Sequence, residues 1–176
     1  MDSRLLEFLR DAFIALYEQE MPLTMKVMLA VPEEWKTYRP DSRSMTAEDL
    51  VWHIASDEVW FQTSVLAGKV ERGNYKTRPS AIFAIAEWYK SHVDELLPKI
   101  RALTPEELVR PVPFFGLEFP GVICLSLLVQ HSIHHRGQLS TYLRSMGAVV
   151  PNLRAKRGRS RCGYRRASER SIADLL

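Results

Sequence analysis

The stretch "LLVQHSIHHRGQLSTYL", residues 127–143, decides how this chain is read, because three of the five histidines fall on one apolar segment with a helical period. At about 100° per residue, Cys124, Leu127, Leu128, His131, His135, Gln138, Tyr142 and Met146 share one face, about as wide as a core-facing stripe. His131 and His135 stand at i and i+4 in its middle. Side chains so spaced rise from adjacent turns on the same side, and two imidazoles can converge on one ion. His134 lies at the edge of that face and is the odd one out, left to titrate in solvent or to support the site from outside.

A lone HxxxH is a weak signal, since such pairs are often surface or satisfied core residues. Burial changes the weighing. A polar group sealed from water without a partner costs about 1 to 3 kcal/mol, so imidazoles on an apolar stripe need hydrogen bonds or a metal. A third donor is offered by "EDLVWHIASDEVWF", residues 48–61, where Leu50, His53, Asp57, Trp60 and Ser64 line one helical face. Helices packed at about 8 to 10 Å between axes can bring histidines from both onto one ion. His53, His131 and His135 then form a three-histidine set with coordination positions left open.

Outward from these two segments the chain reads as four long helices. The first spans residues 2–31, with Leu5, Leu9, Ala12, Phe13 and Leu16 on one stripe, a bend at Pro22 and a stop at Pro32. The second follows "RPDSRSM", with Thr46 as N-cap and Gly68 as C-terminal cap. The third covers residues 80–103 after "RGNYKTRPS", with Pro98 limiting its regularity, and "TPEE" at Thr104 opens a short extra turn. The linker "VRPVPFFGLEFPG" is expected to hold a short extended pair. The fourth helix then runs from Pro120 or Gly121 to Met146, stopped by Gly147. These elements predict an all-α, four-helix bundle with short extra turns in its loops.

Composition bounds the rest. With 176 residues, 46% hydrophobic and 26% charged, the chain fits one soluble globular domain. Two cysteines, Cys124 and Cys162, are too few for a disulfide framework, and the charged start "MDSRLLEFLRDAF" does not resemble a signal peptide. No stretch approaches about 18 uninterrupted apolar residues. A cytoplasmic protein without a membrane span is the expectation. The net charge of +3 is uneven: residues 154–176 carry eight Lys and Arg against Glu169 and Asp174, leaving residues 1–153 mildly acidic. Such a run can bind nucleic acid by counterion release, yet a basic end is more often simply solvated, and nucleic acid is not the expected partner. The expected organisation is a bundle over residues 1–153 and a basic tail over 154–176.

"MTAEDLVWHIASDEVWF" followed about 75 residues later by "QHSIHHRGQLSTYLRSMGAVVPN" resembles the DinB/YfiT-like superfamily of bacterial four-helix-bundle metalloproteins. The resemblance covers residues 1–153, including "MKVMLAVPEEWKTYRPDSRSM" and "FGLEFPG", and HxxxHRGQ is its most specific part. It implies an up-down-down-up bundle and one divalent metal ion per chain on His53, His131 and His135, with His134 outside the ligand set. It also implies a homodimer, and activity as a thiol transferase or isomerase using a low-molecular-weight thiol. After "VPNL" the chain departs from the family pattern into its Arg-rich tail, on which no function is placed.

An open site of three imidazoles allows two chemistries. Bound zinc lowers the pKa of water to about 7, which gives a hydrolase, or binds a thiol as thiolate, which gives a transferase acting on a small electrophile. A non-catalytic, metal-stabilised dimeric binding or stress-response module is the third reading. Imidazole donors suit several metals, with zinc and nickel ahead of iron and manganese. Asp57 could orient a ligand, act as a base, become a fourth ligand or serve as a local hydrogen-bond partner. Gln138 could hold substrate or water, or belong to a polar core layer. Trp52, Trp60, Phe61 and Tyr142 read as packing, Cys124 as a small buried hydrophobe, and His92 as exposed. Finally, Val122, Leu125, Val129 and Ile133 form a second apolar stripe on the last helix, for which burial against a second copy across a twofold axis is expected ahead of coverage by the first helix or the "PFFGLEF" linker within one chain.

Overall fold

A computed structural model describes residues 2–70, 78–114 and 116–153. Helix α1 is Ser3–Leu29, opened by Asp2, whose carboxylate accepts from the Arg4 amide. A 3-10 turn at Glu33–Trp35 leads to α2, Ala47–Ala67. The Thr46 hydroxyl caps α2 by accepting from the Asp49 amide at 3.1 Å, as the sequence suggested. Helix α3 is Ile82–Arg101 and carries Pro98 within its last turn. Helix α4, Pro105–Val109, is opened by a capping box in which Thr104 and Glu107 bond each other's backbone amides.

The expected extended pair is a two-stranded antiparallel hairpin, β1 Pro111–Phe114 and β2 Leu117–Pro120, with Gly116 at φ +80° in its turn. It delivers the chain into α5, Gly121–Ser145. The basic tail, Cys162 and residues 71–77 of the connection between α2 and α3 lie outside the described residues.

The four long helices form a ring in which α1 and α2 each pack on both α3 and α5 and stand diagonal to one another. Their directions follow from contacts at the two ends. Tyr142, late in α5, donates to the Met45 carbonyl just before α2, and the Ile82 amide at the start of α3 donates to Glu33 just after α1. At the other end Gly121 lies against Val65, and Arg10 donates to the Leu103 carbonyl. The order is therefore up-down-down-up. Tyr17, Tyr89, Ile14, Met28, Leu50, Ile54, Leu125 and Leu128 are among the fully enclosed side chains of one continuous core. No helix among the described residues is long and apolar enough to cross a membrane.

This ring corrects the reading of α5. Val122, Leu125 and Val129, three of the four members of the stripe assigned to a second copy, are buried within this chain, and only Ile133 is exposed. The physical reason is that a helix in a four-membered ring meets two neighbours and buries two flanks. The deepest line of α5 runs through Leu125, Leu128, Ser132, Leu139 and Leu143, and the histidine face is its half-buried flank towards α2. His92 is half-buried as well: its ring stacks 4.0 Å from that of Trp88, and its Nδ1 donates to the Trp88 carbonyl.

Gly68 ends α2 in the left-handed conformation at φ +68°. Its missing side chain also makes room for Arg110, whose Nη2 donates to the Leu66 carbonyl at 3.2 Å, so the hairpin arm caps α2. A Cβ here would collide with the Arg110 guanidinium and force an unfavourable backbone. Gly68→Ala is expected to cost about 1 to 3 kcal/mol, read as a lower denaturant midpoint at unchanged slope.

Candidate metal centre

Residues from α2 and α5 meet on the outer flank of their antiparallel interface. The Nε2 atom of His53 lies 3.1 Å from Nε2 of His135 and 3.1 Å from Nε2 of His131. The three side chains form a group whose ligand atoms lie within 4.8 Å of one another and which could hold a metal ion. His134 points into solvent with its ring edge-on to His135, in keeping with its exclusion from the set.

The far edges of two rings fix their tautomers. His53 Nδ1 is 3.3 Å from Asp57 Oδ2, and His135 Nδ1 is 2.9 Å from Gln138 Oε1. A carboxylate and an amide oxygen accept hydrogen bonds only, so each Nδ1 carries the hydrogen and each Nε2 presents a bare lone pair. Two lone pairs facing at 3.1 Å repel unless a cation lies between them. Nitrogens bound at about 2.0 to 2.1 Å to a tetrahedral ion would stand about 3.3 Å apart, close to the observed spacing. The donor set therefore fits a divalent ion of the zinc or nickel type.

Electrostatics keeps the donors available. Burial pushes His131 down to about 4, helped by the nearby His135 and His53 rings and opposed by Asp57. Burial also lowers His135, against the Gln138 hydrogen bond. Both rings are thus neutral, which is the ligating form. The inner nitrogen of His131, Nδ1, is buried without a hydrogen-bond partner among the described residues. Phe61 packs towards this ring, with centroids 5.9 Å apart, and Phe61 in turn stacks on Phe114 of β1 at 4.9 Å, so the hairpin braces the ligand helix pair.

Asp57 and Gln138 are brought to the site, each on the outer nitrogen of a histidine, as oriented partners. Asp57 Oδ2 also comes within 3.6 Å of His131 Nε2, and its side chain is 29% exposed at the rim. Trp60 and Phe61 pack with Phe114, Trp52 packs on Trp88, and Tyr142 is buried, all as packing residues. Cys124 is wholly enclosed, and burial pushes its thiol up to about 11, so it offers no nucleophile. The polar residues Glu58, Gln62, Ser132 and Arg136, buried on the inner faces of the same two helices, were not singled out from the sequence. The signal that could have found them is a carboxylate and a guanidinium at core-facing positions of the wheel.

Known proteins agree with this architecture. The chain is 26% identical over 145 residues to the Bacillus subtilis protein YrdA, covering 81% of this chain and 86% of that one. It is 27% identical over 130 residues to the B. subtilis protein YjoA, covering 71% and 82%. The crystal structure of the DinB-like YjoA superposes with a TM-score of 0.69 at 24% identity, covering 82% of this chain and 99% of that one. A DinB-like protein from Bacillus cereus gives the same score and identity over 81% and 95%. The model of the DinB family matches residues 7–160, and the chain belongs to that family.

Proposed function

We propose that this chain is a divalent-metal-dependent enzyme that transfers a low-molecular-weight thiol to a small electrophile. The observation that carries the reading is the set of three converging imidazoles, with the partly exposed Asp57 beside them. A zinc- or nickel-type ion held by His53, His131 and His135 would supply a Lewis acid that favours the thiolate or hydroxide form of a nucleophile. Asp57, partly exposed and 3.3 Å from His53 Nδ1, accepts the proton released by the thiol. Gln138 keeps the His135 ring in the orientation that aims Nε2 inward. The sulfur electron pair then forms the bond to the electrophilic carbon, and the leaving group departs with its own pair. Thiolate is preferred to hydroxide as the nucleophile because the resemblance of the sequence to the DinB/YfiT-like superfamily implies transfer of a low-molecular-weight thiol.

We propose further that the protein pairs with a second copy, through residues other than those first read. Leu5, Phe8 and Leu16 recur on one outer stripe of α1 and are 47%, 66% and 44% exposed, with Ile133 of the neighbouring α5 also uncovered. Such a stripe is covered most simply by its own copy across a twofold axis.

Three measurements check this reading. His53→Ala and His135→Ala are each expected to abolish stoichiometric metal binding by elemental analysis, and His134→Ala to retain it; a full complement in His135→Ala would overturn the ligand set. Turnover of a panel of electrophiles is expected to require both metal and thiol, whereas thiol-independent, metal-dependent turnover would make the protein a hydrolase. No turnover on any panel would leave a metal-stabilised binding module. In light scattering the unmodified protein is expected to be a dimer and Phe8→Glu a monomer with unchanged metal content.

A further inference from the structure

One residue along from Asp57 and from His131, the chain turns inward to Glu58 and Ser132, which are 0% and 2% exposed. Around Glu58 the four long helices meet. Tyr17 of α1 and Tyr89 of α3 both donate to Glu58 Oε2, at 2.7 and 2.5 Å. Gln62, one turn along α2, donates its two amide hydrogens to the Tyr17 hydroxyl and to the Glu58 carbonyl. That leaves Glu58 Oε1 and Gln62 Oε1, both fully buried, with no donor among the described residues.

The Ser132 hydroxyl of α5 faces the same carboxyl and pulls it towards its ionised form. It also shares a 3.1 Å hydrogen bond with Thr24, in which either hydroxyl can donate, and Thr24 has the Glu20 carbonyl as a further acceptor at 3.2 Å. Two buried acceptor oxygens, Glu58 Oε1 and Gln62 Oε1, still have no bonded hydrogen among the described residues. Nor is there a spare cation, because the nearby Arg136 is bound through Nη2 to the Glu20 carboxylate at 2.5 Å and through Nη1 to the Glu20 carbonyl and Thr24.

We propose that Glu58 is carried in the folded bundle as a neutral carboxylic acid, with the proton on the unpaired Oε1, and that this proton is a pH-sensitive lock on the four-helix core. One added hydrogen supplies the missing donor and removes a charge that Arg136, already matched by Glu20, does not balance. A buried water could supply hydrogens too, but it would leave a carboxylate anion sealed from solvent. Burial pushes the Glu58 carboxyl above its ordinary range against the pull of the surrounding hydroxyls and Arg136, in line with the donor count. The lock does not depend on an ion at the histidines.

The direction of the pH effect follows from linkage. Folded Glu58 keeps its proton to higher pH than an unfolded glutamate, which loses it near about 4.3. Its contribution to stability is complete below that value and is lost as pH rises through the folded pKa, by up to about tenfold in the folded-to-unfolded ratio per pH unit. The groups facing it do not reproduce this behaviour. Tyr17 on α1 and Tyr89 on α3 are held well above their usual range by burial, and burial pushes His131 beside Ser132 down to about 4. Arg136 on α5 and Glu20 on α1 are held against each other and away from Glu58 Oε1.

Infrared spectroscopy of the full chain with labelled glutamate tests the proton directly. At about pH 7 ordinary glutamates are ionised, so one protonated-carboxyl band is expected, fading in alkali and absent from Glu58→Gln; a spectrum of carboxylate alone overturns the proposal. Glu58→Gln keeps a neutral donor and acceptor in place. Its stability is expected to be flat over the alkaline range in which the unmodified protein loses up to about tenfold per pH unit, and parallel slopes would overturn the lock. If the variant does not fold, the spectrum of the unmodified chain decides alone.

Discussion

Lone pairs that face each other at 3.1 Å repel, and the packing of α2 on α5 holds the His53 and His135 Nε2 atoms in that arrangement, with His131 Nε2 also 3.1 Å from His53. Much around the site can be understood as holding it together. The antiparallel pairing sets His53 opposite the i, i+4 pair, and Asp57 and Gln138 fix two tautomers so that the lone pairs point inward. Phe61 and Phe114 brace the His131 side through the hairpin, and Arg110 ties that hairpin to the end of α2. A bound cation would convert the repulsion into cross-links between two helices, and in that state metal affinity and bundle stability are one quantity.

Much of this was legible in the sequence, for identifiable reasons. The histidines could be placed because helical period converts spacing directly into direction, and i, i+4 leaves little freedom. Thr46, Gly68, Thr104 and Gly147 bounded the helices because caps are local chemistry, decided by a side chain and its own backbone. The hairpin was readable from its proline, glycine and aromatic content. What failed was mainly non-local. Val122, Leu125 and Val129 looked like surplus apolar surface because the wheel shows the width of an apolar face but not how many neighbours will cover it. The one local miss is His92, read as exposed although Trp88 stands one turn before it on the same helix and meets its ring.

The buried polar network was missed for a related reason. Glu58, Gln62 and Arg136 are residues that sequence patterns assign to solvent, and their partners Tyr17, Tyr89, Thr24 and Glu20 come from distant segments. Burial of such groups is tolerable only when every hydrogen is accounted for, and that account can be made only after the fold is known. The network also ties together elements that the histidines do not reach. The histidines that could hold a metal belong to α2 and α5 alone, whereas the Glu58 cluster joins α1 and α3 to the same two helices.

The two clusters bind protons with opposite preferences. His131 is neutral when folded and resists protonation down to about 4, so folding is weakened by acid as pH falls from the unfolded imidazole value of about 6.5. Glu58 favours its protonated form when folded, so folding is weakened as pH rises through its elevated pKa. Without a metal, these two contributions bound a window of maximal stability from either side. A bound ion would widen the acid side, because protons must then compete with the metal for His131. It would leave the alkaline side where Glu58 puts it, since no histidine nitrogen is among the partners of that carboxyl. The acid limit of this bundle is thus tied to its histidine cluster, and the alkaline limit to its core.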